Sequence, residues 1–196
     1  MFYSKESQTP ERLLCERRKS VKVLLLPSGR QFRVIAEMED EVHHLRLNIL
    51  VDRPSLRIEE IHCEMPGVPD AICRQAARSL DPMIGCCVRP GLMNELKASP
   101  QSGCTHLLNL FHEACYNLTF AREVRGREQI RAMFPDIIAE EQLFSMFLWF
   151  HPELRNSCVR YADSSPFMED VRNAKMPARA EKIRAVVMGR QRETDP

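Results

Sequence analysis

The side chains most able to do chemistry in this chain are thiols and imidazoles, and one string holds both: Gly103-Cys104-Thr105-His106-Leu107. Apolar residues after it recur at helical spacing, which sets Cys104 at the first turn of a helix. Backbone N–H groups at a helix start lack intrahelical partners and meet the positive end of the dipole, so anionic sulfur is accommodated there. His106, two residues on, would add a second ligand or a positive charge. Thiolate and imidazole are the side chains that hold zinc or iron best. The plainer alternative is that Cys104 only continues the apolar stripe, Thr105 caps the helix and His106 faces water.

The chain has eight cysteines: Cys15, Cys63, Cys73, Cys86, Cys87, Cys104, Cys115 and Cys158. It is too long for a disulfide-stapled mini-protein, and Met1–Pro10 is polar where a secretory leader would be apolar. Reduced thiols or metal ligands are therefore expected. The vicinal pair Cys86-Cys87 suits packing, since one ion or one disulfide between neighbours contorts the backbone. His62 and Cys63 fall on opposite faces of a strand, and Cys115, near His112, falls in a core stripe. Glu140-Glu141 reads as a solvated surface. No dinucleotide turn, phosphate loop, nucleophile elbow or His-Glu-x-x-His motif is present.

Elements that would position these groups follow from periodicity. Val21, Val23 and Leu25 alternate in a first strand, then Pro27-Ser28-Gly29 turns the chain. Phe32, Val34, Ala36 and Met38 share one side of a second strand; Leu45, Leu47, Ile49 and Val51 share one side of a third. By parity His43 joins that apolar side at the strand's entrance. Leu56 and Ile58 begin a fourth strand whose alternation shifts near Glu59-Glu60, as a bulge would make it. Pro69-Asp70 opens a helix over 71–80 carrying Cys73. Cys104, Leu107, Leu108, Phe111, Cys115 and Leu118 make one stripe of a helix over 104–120, and a third apolar helix covers 136–150 with Trp149. Residues 155–178 read as irregular, and 178–190 as an amphipathic helix.

Short turns between strands imply an antiparallel meander. The expected fold is α+β: three or four antiparallel strands covered on one face by helices 70–80, 104–120 and 136–150. The expected division is an α+β domain at 19–150 and an irregular, helical extension at 151–196.

Lys plus Arg number 28 against 27 for Asp plus Glu, so a phosphate backbone is not an expected partner. No run reaches the roughly 18 apolar residues of a membrane span. A cytoplasmic location is the expectation, with a protein partner or a second copy as the partner class.

His43-His44-Leu45-Arg46-Leu47, Pro69-Asp70-Ala71-Ile72-Cys73 and Gly103-Cys104-Thr105-His106-Leu107, in that order, resemble an uncharacterised bacterial family, domain-of-unknown-function family 2889. The likeness covers roughly residues 20–120 and implies a shared fold and polar site, with no activity attached. A weaker likeness is to iron–sulfur cluster scaffold proteins, which carry three cysteines plus an acid or histidine around one exposed pocket. Carried over, that resemblance implies a site of His43, Cys73 and Cys104, with His106 as fourth. Histidine here replaces the first cysteine and the scaffold's Gly-x-Cys-Gly-Asp loop is absent, which implies mixed nitrogen and sulfur ligands for zinc or iron. Asp40, Glu41 or Asp70 would then accept from the free imidazole nitrogens.

Three functional readings follow. The first is a metal-binding or metallocluster-related accessory protein using His43, Cys73, Cys104 and His106. The second is a thiol enzyme with Cys104 as nucleophile and His43 or His106 as base. The third is an interaction module whose apolar 136–150 helix and C-terminal segment dock a partner.

Overall fold

The structure is a computed structural model that describes residues 12–89, 91–92, 103–135 and 139–183. Four strands, β1 (Arg18–Leu25), β2 (Gln31–Glu39), β3 (His44–Asp52) and β4 (Ile58–Gly67), pair antiparallel in sequence order. The meander exists because each turn is short. Gly29 takes φ 70 between β1 and β2, and Asp52 accepts from the Ser55 backbone N–H at 3.0 Å between β3 and β4. Leu56 takes φ 55 in that turn and lies outside β4, so the fourth strand begins at Ile58 rather than Leu56.

One sheet face is apolar throughout. Phe32, Val34, Ala36 and Met38 of β2 and Leu45, Leu47, Ile49 and Val51 of β3 are all buried. Pairing shifts between Leu50↔Glu60 and Val51↔Ile58, so Glu59 is the extra residue of a bulge where the alternation slips. A second shift lies between His44↔Gly67 and Arg46↔Glu64, next to Pro66.

Two helical elements cover this face. The first, Ala71–Met83, opens with Asp70 accepting from the Ile72 N–H at 2.9 Å. It winds as a 3₁₀ helix and runs past Pro82, where an α-helix ending at residue 80 was expected. Its buried residues are Ala76, Leu80 and Met83, with Ala77 packed beside the sheet core. The second, α1 (Thr105–Met133), buries Leu107, Leu110, Phe111, Ala114 and Leu118 in the same core. It continues well beyond residue 120, through Gly126, and ends before Phe134 and Pro135.

The chain divides into two compact units, one up to Phe120 and one from Ala121, with the boundary inside α1. In the second unit, Ile130 and Phe134 pack with α2 (Glu140–Phe150) and α3 (Pro166–Asn173). The buried face of α2, including Leu143, Phe144, Phe147 and Trp149, belongs to this second core and not to the one under the sheet, as had been expected. The segment expected to be irregular contains α3, started by Ser165, whose hydroxyl accepts from the Met168 N–H at 3.1 Å, and by Pro166. Residues 178–183 are helical; 136–138 and 184–190 lie outside the described residues. Among the described residues, no helix is long and apolar enough to cross a membrane.

Gly67 is where β4 meets the entrance to β3. A Cβ there would stand 2.8 Å from the His44 backbone nitrogen and 3.0 Å from its Cβ. Both opposing atoms are held by strand pairing, so Gly67→Ala is expected to destabilise the protein by about 1–3 kcal/mol, the usual cost of overpacking. Urea denaturation would read this as a lower midpoint at unchanged slope; an unchanged midpoint would show that the strand end yields freely.

Candidate functional site

The end of the sheet carrying Gly67 also carries the β2–β3 turn, and there the candidate side chains gather. Asp40 follows β2 and folds its carboxylate back on its own turn, where Oδ1 accepts from the backbone N–H groups of Val42 at 3.0 Å and His43 at 2.8 Å. Oδ1 also takes the His43 Nδ1–H at 2.9 Å, and Arg17 reaches Oδ2 through Nε at 2.8 Å and Nη2 at 2.6 Å. The Asp40 side chain is only 2% exposed. Burial works to raise its pKa, but the Val42 N–H, the Arg17 guanidinium and the two His43 donors outweigh it and hold the carboxyl well below the usual range.

His43 therefore has a fixed orientation. Asp40 can only accept, so Nδ1 carries the hydrogen and, in the neutral ring, Nε2 keeps a lone pair. That ring packs on His106, with centroids 4.2 Å apart and planes tilted by 46°. His106 belongs to the first turn of α1, and its Nδ1 is 4.0 Å from Cys104 Sγ. Cys104 precedes the helix as its cap residue, and its carbonyl accepts from the Leu108 N–H at 2.9 Å. On the other side of the ring, Arg17 Nη2 lies 3.3 Å from His106 Nε2. Burial, then the neighbouring His43 and Arg17 charges, hold the His106 imidazole below its ordinary pKa, with Asp40 pulling the other way.

Three of the four expected site residues, His43, Cys104 and His106, thus converge on one rim. Cys73 lies in the first turn of the 3₁₀ helix, six residues beyond Gly67 and so on the same end of the sheet, but no hydrogen bond joins its side chain to this group. Gly103, just before Cys104, packs against Ser79 of that helix, with its Cβ position 3.8 Å from Ser79 Oγ. Ser79 is roughly 12 Å along the axis from Cys73 at 2.0 Å per residue.

Sequence reasoning missed two residues here. Cys63 packs on the core beside Cys104, and its thiol is pushed up to about 11, first by burial and then by the charge of Cys104. Strand parity places it on the same side as Met65, which was the available signal. Arg17 precedes β1 in irregular chain, and no pattern marks it. Of the remaining thiols, Cys86 packs on the core and donates to the Pro82 carbonyl at 3.6 Å. Burial pushes Cys115 up to about 12.

Residues 26–117 match the model of a family described as protein of unknown function, DUF2889. Over this segment the chain is similar to that family. No curated protein and no solved structure matches the chain. The DUF2889 segment contains His43, Cys63, Cys73, Cys104 and His106, whereas Arg17 and Cys15 lie ahead of it.

Cys104 and His106 are half-buried. A shallow cleft of about 240 Å³ is lined by Glu16, Arg18, Glu39, Asp40 and Glu41, and by none of His43, Cys104 and His106. Among the described residues, no three His, Cys, Asp or Glu side chains stand in metal-holding geometry. On a tetrahedral zinc ion, sulfur and nitrogen ligands would sit about 3.6 Å apart. The Cys104–His106 pair at 4.0 Å is a few tenths too wide, so any site here closes on its ion rather than waiting preformed.

The depressed basicity of His106 sets a pH dependence. The folded protein resists a proton that the unfolded chain accepts, so stability falls as pH drops through about 6.5 and levels off below the folded value. The Asp40 contribution, with its pKa lowered on folding, is lost only as pH falls through the usual carboxylate range near 4 and below. Melting temperature measured from pH 8 to 5 should therefore decline in the wild type and decline less in His106→Gln. Equal slopes would mean that His106 is not held neutral by the fold.

Proposed function

We propose that this domain is a metal-binding or metallocluster-related accessory protein. Its ion, zinc or iron(II), would sit at the rim where the β2–β3 turn meets the start of α1. The observation that carries this reading is the packing of His43 on His106 beside Cys104, with the far nitrogen of His43 given to Asp40. A carboxylate behind an imidazole orients the ring and leaves its other lone pair outward, the outer-shell arrangement of histidine metal ligands. His43 Nε2, Cys104 Sγ and His106 Nδ1 would be the ligands. Cys63, which packs on the core beside Cys104, would be the fourth. A neutral imidazole is required for ligation, and the surroundings of His106 favour that form. The likeness to iron–sulfur scaffolds points to the same rim, with mixed ligands suiting a single ion or a cluster in transit.

A second reading rests on the Cys104–His106 contact alone. Thiol chemistry would use Cys104 as nucleophile, but the hydrogen that Arg17 forces onto His106 Nδ1 faces the sulfur and cannot take its proton. The interaction-module reading loses one of its two grounds, because Leu143, Phe144, Met146, Phe147 and Trp149 of α2 are buried in the second core, and its other ground, the C-terminal segment, lies largely outside the described residues.

Purified anaerobically under reducing conditions, the protein should bind zinc or iron(II) at one equivalent. At a hundredfold excess over Kd this stabilises by about 2.7 kcal/mol, or about 5–10 °C in melting temperature for a chain of this size. Cys104→Ser should lose most of that rise and Cys115→Ser should keep it. A melting temperature indifferent to both ions in the wild type would overturn the metal reading.

A further inference from the structure

We infer that Arg17 is a latch which competes with the metal for His106, so that the site fills only when the segment ahead of β1 lets go. This rests on the metal-binding reading above and adds its regulation.

Arginine has only donors, so an Arg17 N–H directed at His106 Nε2 requires a lone pair there and places the ring hydrogen on Nδ1. Nδ1 is the atom that faces Cys104 Sγ. A metal bound at Nδ1 reverses this: the hydrogen moves to Nε2 and would point at a guanidinium that offers nothing but hydrogens. Latched and loaded states are mutually exclusive for one ring. The guanidinium charge also opposes a dication brought to the same imidazole.

The latch is built to release. Residues 12–17 form no helix or strand, and Leu13 and Leu14 are exposed. The segment is held at the β2–β3 turn by the Glu16 N–H on Glu41 Oε1 at 2.8 Å, the Cys15 thiol on Glu41 Oε2 at 3.5 Å and the Arg17 fork on Asp40. Two of these contacts are solvent-exposed and weak. After Arg17 leaves, Asp40 keeps two backbone N–H groups and the His43 ring, so His43 stays oriented for the ion. Arg17 also lies outside the family-matched span, 26–117, and thus acts on that segment from its flank.

By linkage, whatever the latch costs the metal, the metal costs the latch. Zinc titrated against a chromogenic chelator into wild type and Arg17→Met should bind the variant at least tenfold more tightly. In the wild-type protein, zinc should also speed hydrogen exchange at the Glu16 amide, a readout that stands even where Arg17→Met folds poorly. Equal or weaker zinc binding by a folded Arg17→Met, or unchanged Glu16 exchange in zinc-loaded wild type, would overturn the latch and leave the metal site standing. Zinc binding by neither protein would overturn the latch together with the metal reading.

Discussion

A carboxylate sealed from water must find all its partners inside the protein, and Asp40 organises this end of the molecule by that requirement. Its oxygens draw in two amides of the β2–β3 turn, the ring of His43 and the fork of Arg17. The turn is thereby shaped, the imidazole is aimed, and the chain ahead of β1 is drawn against the sheet end. Without it His43 would lose the acceptor that fixes its ring orientation and keep only its packing on His106.

The sheet was readable because its physics is local. Strict alternation from Phe32 to Met38 and from Leu45 to Val51 admits only one buried face, and the slip at Glu59 marks the bulge directly. Helical elements were placed well but wound or ended differently: the buried residues of the first, Ala76, Leu80 and Met83, are spaced by four and three, which does not mark it as 3₁₀. The fate of α2 was not readable. An apolar helix states that it must be buried, not against what, and its partners proved to be Ile130, Phe134 and the helix started by Ser165-Pro166.

At the site, strand parity gave His43 the covered side and a helix start placed Cys104, and the likeness to known families grouped them with His106; that the three come together is visible only in the structure. Asp40 as acceptor followed from the needs of an imidazole. Arg17 could not be read, because its role comes from a side-chain reach out of irregular chain rather than from any periodic pattern. Cys63 was discounted for facing away from His62, yet that same alternation is what turns it toward the core beside Cys104.

The surroundings of His106 combine two requirements that pull in opposite directions. An imidazole ligand must be neutral, and burial, the neighbouring His43 and the positive charge of Arg17 all disfavour its protonation. Arg17, which follows burial and His43 among these, also donates to Nε2, and that contact assigns the hydrogen to the nitrogen a metal would need. Burial alone would leave either tautomer open, and Asp40 alone would pull the ring toward the cation. Under the proposed latch, release of the Arg17 fork from Asp40 would leave His43 and His106 each with a nitrogen lone pair beside a thiol.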